Sequence, residues 1–348
     1  MTAPARLVSR WARHGLLEAL LAFGVGLALL AVFLGVAGFD VGASLAALWR
    51  GAFGSWYAIS SATLVRATPL IVLGLAFTLG SKGGGLNIGM EGQFALGAIA
   101  ATWVGLHATA LPPFVAIPIV LGAGAVAGAA WMLLPVAMRL RFGVTEVIST
   151  LLLNFVADAA VSYAVTGPLQ EPSHIYPQSG PIAISGQLPK LITGARMHLG
   201  LPIALLLALL LGLLFWKSRW GFRLRAVGAG ATAARVTGGI AASGVLATAL
   251  LWSGALAGLG GAIEVSGVSY ALYQNLSPGY GFTAIAVALL GRLQPLGVVV
   301  AGVLFGALEA GAGAMQRDAG VPAVAVQVVE AVVILTLVIL TRRQERDQ

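Results

Sequence analysis

Long apolar runs, separated by short polar or glycine-rich connections, dominate this chain. Residues 16–39 contain one charged side chain, and residues 199–216 contain none. An apolar stretch of about 20 residues is long enough to cross the hydrocarbon core of a bilayer as an α-helix. The runs do not alternate apolar and polar residues as a membrane β-barrel requires. The pattern therefore predicts an all-α integral membrane protein.

The lengths and spacing of these runs predict about ten transmembrane helices. The eighth is short enough to be a half-helix. Two connections are long: one contains five prolines (167–198), and the other is basic and partly helical in pattern (217–243). The approximate cores of the ten predicted spans are 16–38, 61–80, 89–106, 114–138, 144–166, 199–216, 244–265, 279–291, 296–313 and 323–341.

The composition agrees with a membrane protein and narrows the possible chemistry. Only 9% of the residues are charged and 47 are glycine, whereas soluble domains carry about 25% charged residues and about 7% glycine. The chain has no cysteine, which excludes disulfides, thiol catalysis and cysteine-based zinc sites. The basic start (1–15) precedes a run that is too long for a signal peptide, so we expect an uncleaved first helix.

The distribution of charge predicts the orientation in the membrane. The net charge of +8 comes from Lys and Arg in the connections between apolar runs, which argues against nucleic-acid binding. With the N-terminus inside, 15 of the 20 basic residues are cytoplasmic, as the positive-inside rule requires. We expect cytoplasmic segments at 1–15, 217–243 and 342–348 and an external loop at 167–198. The external basic residues are then Arg50, Arg66, Lys190, Arg196 and Arg317.

Sequence signatures of common enzymes are missing. None of the three lysines follows a glycine, so there is no Walker A loop for ATP. There is also no H-E-x-x-H metal motif and no G-x-S-x-G nucleophile elbow. We therefore predict no catalytic residue, no metal ligand and no cofactor bound by this chain.

The stretch GGGLNIGMEGQF, residues 83–94, places polar side chains between two apolar runs. Irregular backbone at membrane depth is tolerated where it is buried in protein or lines a water-filled path. Asn87, Glu91 and Gln93 are thus candidates for a substrate pathway. Alternatively, Asn87 caps a helix and Glu91 complements the dipole of its first turn. Both interpretations can hold at once.

A second break, NLSPGYGF at 275–282, weakly echoes the first and suggests two related halves. Glycine-interrupted segments in corresponding halves are pointers to a transport pathway. Phe282 could stack on a flat substrate there, although aromatic residues also form interfacial belts. Asn154 lies mid-span, where it either lines the pathway or hydrogen-bonds between helices.

Several acidic residues lie in or near the apolar spans. Glu146 follows a basic turn and can pair with Arg139 or Arg141. Burying a charge in a bilayer is costly, so the others either line the pathway, pair with another helix or sit at the interface. These others are Asp158, Glu264, Glu309 and Glu330.

Glycines with small-xxx-small spacing predict close helix contacts. The pairs are Gly124 with Gly128 and Gly254 with Gly258. This spacing lets helix backbones approach each other, so we interpret these glycines as packing residues.

Five sequence blocks, in order, resemble the permease subunits of ABC importers. They are GGLNIGMEGQ, GFRLRAVGAGATAARVTGGI, SGALAGLGGAIEV, GYGFTAIAVALLGR and PLGVVVAGVLFG. The group they resemble handles branched-chain amino acids, ribose-type sugars and nucleosides, and the match is nearest to nucleoside-type permeases that depend on a basic membrane protein. The resemblance extends over most of the chain, from about residue 60 to 325.

This resemblance implies a single transmembrane permease domain (1–348) in a bacterial cytoplasmic membrane. Its partners would be ABC ATPase subunits that bind ATP and Mg²⁺, a second permease subunit, an external substrate-binding lipoprotein and membrane lipid. Residues 228–239 would form the coupling helix that contacts the ATPases. Where the family commonly has Asn, this chain has Gly230, which weakens the helix cap. The implied coupling residues are Arg225, Gly228, Ala233, Ala234 and Gly238.

The sequence thus predicts the permease subunit of an ATP-driven importer, with nucleosides as the first substrate class. Ribose-like sugars and branched-chain amino acids are the alternatives within this class. An ion-coupled secondary transporter, in which buried acids carry protons or sodium, is an alternative from another class. A membrane scaffold without transport activity is a further one.

Overall fold

A computed structural model of the chain describes residues 24–322 and, beyond them, residues 324, 327, 328 and 331. Its described part is mostly helical, and six of its helices are long and apolar enough to cross a membrane. The helices are α1 (Gly24–Val36), α2 (Val41–Phe53), α3 (Trp56–Lys82), α4 (Met90–His107), α5 (Pro113–Phe142), α6 (Glu146–Thr166), α7 (Gly200–Lys217), α8 (Arg219–Ala229), α9 (Ala231–Gly238), α10 (Ala242–Ser269), α11 (Tyr280–Leu290) and α12 (Pro295–Ala319).

The second to ninth predicted spans each coincide with a helix, namely α3 to α7 and α10 to α12. The eighth is the short helix α11, as its length indicated. Helix α2 was not predicted, because its 13 residues are too few to span a bilayer. The tenth predicted span (323–341) and the first part of the first (16–23) lie outside the described residues.

Helices α3 and α10 form the centre of the bundle. Helix α10 packs along α4 and α5 on one side and against α3 on the other. Helix α3 also contacts α11 and α12, and α12 packs in turn against α2. Long connections close the two ends of the bundle. We call the end with residues 167–199 the loop end and the end with α8 and α9 the basic end.

Glycines allow α4, α5 and α10 to approach closely, as their spacing predicted. A Cβ on Gly258 of α10 would lie 2.8 Å from the Cα of Gly128 in α5. One on Gly254 would lie 2.7 Å from the carbonyl oxygen of Gly128. Gly97 of α4 packs directly on the backbone of Gly258. Because no larger residue fits, these glycines set the distance between the three helices.

We expect Gly128→Leu to destabilise the bundle, whereas Gly122→Leu in the same helix should be tolerated. The space beside Gly122 is open, with no atom within 4 Å of a Cβ placed there. A leucine at 128 would have to displace α10, and overpacking of this kind costs about 1–3 kcal/mol or more. Unfolding of both variants in detergent micelles measures the difference. Equal stabilities would contradict close packing between α5 and α10.

Short turns and backbone hydrogen bonds order the long connection at the loop end, without a separate core. The amide of Ser179 donates to the carbonyl of Leu272 at 2.7 Å, and that of Leu188 donates to Ser266 at 2.8 Å. His198 is wedged against Gly200 and Gly267, and this burial, aided by Arg196, lowers its pKa to about 4. The connection is thereby fixed on the end of α10.

The basic end carries two consecutive helices. Helix α8 begins with the cap residue Ser218, whose Oγ accepts from the amide of Gly221 at 2.9 Å. The chain is extended at Gly230, and α9 starts there without a side-chain cap, as the missing asparagine indicated. Gly228, at the end of α8, packs directly against the carbonyl oxygen of Lys82, the last residue of α3. The two helices thus contact the bundle at the end of α3.

Candidate functional site

Two breaks in the helices meet inside the bundle. The first break (83–89) lies between α3 and α4, and the second (270–279) between α10 and α11. The first reaches from the basic end to the level of Ser253, which is 11 residues into α10, or roughly 16 Å along its axis. Helix α4 therefore begins well inside the bundle and not at its basic end.

A hydrogen bond joins the two helices that follow the breaks. The backbone amide of Gly281, in the first turn of α11, donates to Oε2 of Glu91 at 2.6 Å. Glu91 itself lies in the first turn of α4. A Cβ on Gly281 would lie 2.8 Å from the Cα of Glu91, so only glycine allows this approach. The N-terminal ends of α4 and α11 therefore converge at one carboxylate.

Both helix ends favour a negative charge on Glu91. A helix N-terminus carries about half a positive elementary charge, and Glu91 is placed at two of them. The hydroxyl of Ser277 accepts from the amides of Gly279 and Tyr280 at 3.1 and 3.0 Å. Ser277 thereby caps the start of α11, whose Gly281 amide holds the carboxylate. This arrangement fixes the Glu91 side chain in position.

Asn87 and Gln93 hydrogen-bond to each other within the first break. Asn87 Nδ2 donates to Gln93 Oε1 at 2.7 Å, and Gln93 Nε2 donates back to Asn87 Oδ1 at 3.0 Å. Asn87 Nδ2 also donates to Ser253 Oγ at 2.9 Å, and Ser253 donates to the carbonyl of Ala76 at 2.7 Å. All of these side chains are fully buried. They fasten the break to α3 and α10.

Asn154 caps the start of α4 from a neighbouring helix. Its Oδ1 accepts from the amide of Gly92 at 2.9 Å, and its Nδ2 donates to the carbonyl of Ile88 at 3.1 Å. One side chain thus satisfies a donor and an acceptor at an irregular, buried stretch of backbone. Asn154 links α6 to the first break.

A cavity of about 370 Å³ opens beside the junction of the two breaks. Ligand pockets for small molecules occupy roughly 300–1,000 Å³. Gln274 Nε2 donates to Ser162 Oγ at 2.6 Å and so ties the second break to α6 at the cavity. The lining mixes carboxylates, amides, hydroxyls and aromatic rings. Its polar and aromatic members are Glu91, Phe94, Asp158, Ser162, Gln274, Asn275, Ser277 and Phe282.

Asp158 is the unusual member of this lining. It lies 12 residues after the start of α6 and 8 before its end, yet it is exposed in the single chain. A charged side chain within a membrane span almost always faces the bundle interior or water, because exposure to lipid is costly. The face of α6 that carries Asp158 therefore borders either water or another protein chain.

The structure separates the five predicted pathway residues into two groups. Glu91 and Phe282 line the cavity, whereas Asn87, Gln93 and Asn154 hold the first break together. Asp158, one of the acids predicted to lie in or near the spans, lines the same cavity. Gln274 and Asn275 were not singled out, although their position in the polar second break was a usable signal.

The other acidic residues have different surroundings. Glu146 pairs with Arg139, which confirms that prediction, and its Oε1 accepts from the amide of Leu86 at 3.0 Å. Glu264 is buried near the loop end, in the field of Arg66 and Arg196. Glu330 lies outside the described residues. Among those described, there is no cluster of three or more His, Cys, Asp or Glu side chains that could hold a metal ion.

The five predicted coupling residues lie on both sides of the α8–α9 segment. Arg225 stacks over the ring of Trp216, 4.9 Å from its centroid, and Gly228 packs on the end of α3. Ala234 is buried against the bundle, whereas Ala233 and Gly238 are exposed. Val236, 74% exposed, shares the outer surface of α9 with Ala233.

A helical bundle in which two helix breaks frame a polar cavity is typical of a membrane transport protein. Comparison with protein families agrees: residues 57–341 match the model described as the branched-chain amino acid transport system / permease component. The chain belongs to this family. It is a multi-pass membrane protein and the permease subunit of an ABC importer, a transport component rather than a catalytic one. The resemblance seen in the sequence is thereby confirmed.

Curated relatives carry more specific names. The chain is 38% identical over 326 residues to the guanosine ABC transporter permease protein NupP of Bacillus subtilis, covering 92% of each chain. It is 39% identical over 285 residues to the glucose ABC transporter permease protein TsgB13 of Haloferax volcanii, covering 79% of this chain and 74% of the relative. The nucleoside ABC transporter permease protein NupB of Lactococcus lactis is 32% identical over 301 residues, covering 84% and 82%. No solved structure matches the chain.

Proposed function

We propose that this chain is a permease subunit of a nucleoside importer in the bacterial cytoplasmic membrane. The observation that carries the proposal is the cavity at the junction of the two breaks, which offers acceptors, donors and aromatic rings together. A nucleoside presents hydroxyls on its sugar and a flat base, so it matches such a lining. The likeness to NupP over 92% of both chains supports the same substrate class.

Transport would be driven by ATP hydrolysis in partner subunits that dock on α9 at the basic end, taken as cytoplasmic. Those subunits would bind ATP and Mg²⁺, and this chain would bind no cofactor. A push on α9 passes through α8 to the end of α3, because Gly228 abuts Lys82. The first break follows directly and leads to Glu91. Movement of the segment would thus alter the junction where Glu91 meets Gly281 and switch access to the cavity.

Two further surfaces fit the other proposed partners, a second permease subunit and a substrate-binding lipoprotein. A second permease subunit would cover the exposed apolar side chains of α6, among them Phe155 and Tyr163, and would so keep lipid away from Asp158 and the cavity. At the loop end, taken as external, a substrate-binding lipoprotein would dock on the long connection. Its exposed apolar side chains suit such a contact. They are Ile175, Tyr176 and Ile184.

A hydroxylated sugar is the second candidate substrate, because the glucose permease TsgB13 is 39% identical to this chain. Glucose and nucleosides both carry a ring with neighbouring hydroxyl groups. A sugar alone, however, would leave the aromatic part of the cavity without a flat partner. Competition between labelled guanosine and unlabelled glucose distinguishes the two.

The deciding experiment measures uptake of labelled purine and pyrimidine nucleosides in cells with and without this gene. It is repeated with a partner ATPase whose Walker lysine is replaced. We expect uptake to be lost in both cases, because the permease provides the path and the ATPase the energy. Uptake that needs this gene but survives the dead ATPase would overturn the proposal in favour of an ion-coupled carrier.

A further inference from the structure

We propose that the cavity recognises the ribose of the nucleoside, with Asp158 accepting hydrogen bonds from the 2′- and 3′-hydroxyls. This inference rests on the proposed function and assigns recognition of the sugar to one residue, Asp158. A carboxylate has two acceptor oxygens, and a vicinal diol has two donors at matching separation. Hydrogen bonds to a charged acceptor are roughly twice as strong as neutral ones. An acidic residue holds the ribose hydroxyl in dinucleotide-binding proteins for the same reason.

Asp158 has its whole acceptor capacity open, whereas part of that of Glu91 is used. Glu91 Oε2 already accepts from the amide of Gly281 at 2.6 Å, so this side chain serves the junction of the breaks. Asp158 makes no hydrogen bond or ion pair with any residue that the structure describes. It also stands on a continuous helix, α6, which gives the carboxylate a fixed position. Of the two acids in the cavity, Asp158 is therefore the one available to a ligand.

The charge of the cavity selects a neutral ligand. Its described lining contains two acids and no Lys, Arg or His. A nucleotide would bring its phosphates close to Glu91 and Asp158 without a compensating cation, and like charges in a poorly solvated site repel strongly. The lining thus disfavours nucleotides and accepts nucleosides.

The remaining polar and aromatic groups fit the other parts of the ligand. The Asn275 side chain makes no hydrogen bond within the described chain and can offer both a donor and an acceptor. Phe282 is 45% exposed and lines the same cavity, so its ring is open to stacking. Bases stack on aromatic rings with little dependence on base identity. Recognition would then be strict for the sugar and tolerant for the base.

The test compares uptake of guanosine and 2′-deoxyguanosine by vesicles that contain the complete transporter with its binding protein. We expect the Asp158→Asn variant to lose about tenfold in guanosine uptake and little in deoxyguanosine uptake. A tenfold change corresponds to about 1.4 kcal/mol, the size expected for a hydrogen bond to a charged group. Since the binding protein is the same in both vesicles, a changed ratio reports on the permease.

Asp318→Asn is the matched control. Asp318 lies 4.0 Å from Arg50 in an exposed ion pair, which contributes little to stability, and it is outside the cavity. We expect this variant to keep the guanosine to deoxyguanosine ratio of the wild type. If Asp158→Asn does not assemble, Asp158→Glu tests the same point, because it keeps the charge but moves the carboxylate by one methylene.

The outcomes separate this inference from the proposed function. If the wild type imports nucleosides and the Asp158 variants leave the ratio unchanged, the ribose assignment is wrong and the nucleoside importer stands. If the wild type imports no nucleoside, the ribose assignment and the proposed function are both wrong. A lowered ratio supports the assignment, because a defect in assembly would reduce the uptake of both substrates equally.

Discussion

Replacing Ala233 by glutamate is expected to abolish most substrate-coupled ATP hydrolysis while the chain stays inserted and folded. Ala233 lies on the outer surface of α9 beside Val236, which is 74% exposed. A partner ATPase that grips this helix would have to bury the new carboxylate. Each 1.4 kcal/mol lost in docking lowers affinity about tenfold, and an unpaired buried charge costs more than that. Uptake and binding-protein-stimulated ATPase activity measure the effect.

Ala110→Glu is the matched control, since it adds the same charge at an exposed position of the loop end. It should leave co-purification of the ATPase unchanged. Ala234→Glu should behave differently from both, because Ala234 is 7% exposed and the variant would disturb the packing of α9 itself. Wild-type uptake in the Ala233→Glu transporter would refute a coupling role for α9.

Asn87→Ala is expected to lower the free energy of unfolding by about 3 kcal/mol, since each buried polar group left unpaired costs about 1–3 kcal/mol. The substitution deprives Gln93, Ser253 and the amide of Gly89 of a partner. Water cannot replace these bonds at a site that is 0% exposed. Denaturation in mixed micelles, followed by circular dichroism, gives the free energy.

A double-mutant cycle with Ser253→Ala isolates the contact between the first break and α10. Interhelical hydrogen bonds in membrane proteins are worth roughly 0.6–1.7 kcal/mol, and we expect a coupling free energy in this range. Additive effects of Asn87→Ala and Ser253→Ala would show that the bond at 2.9 Å does not stabilise the fold.

Apolar length was sufficient to locate most of the helices but not their depth. Residues 199–216 form a continuous apolar run, residues 296–313 form one interrupted only by Glu309, and α7 and α12 coincide with them. The first break is rich in glycine, as a surface turn can also be, so its composition did not fix how far it enters the bundle. Its depth is set by Ser253, which is 166 residues away in the chain.

Part of the site could be predicted from the sequence, and the rest again depends on contacts between distant residues. Glu91 and Phe282 stood out because a polar or aromatic residue beside a glycine-rich break is unusual in an apolar chain. The contact between Glu91 and the Gly281 amide could not be predicted, because the two residues are 190 positions apart in the chain. Gln93 has the same local context as Glu91, yet it faces Asn87 and Met132 instead of the cavity. Two residues of helical rotation, about 200°, separate the lining role of Glu91 from the structural role of Gln93.

The first break must keep its length, because the contact between Glu91 and Gly281 depends on how α4 is rotated. Seven residues, 83–89, connect Lys82 to the first residue of α4. Inserting or deleting one of them would turn α4 by about 100° about its axis, which would carry Glu91 away from Gly281 and put Met90 or Gly92 in its place. Natural variation in chain length should therefore accumulate in the connection at the loop end, while this heptapeptide keeps its size in every functional homologue.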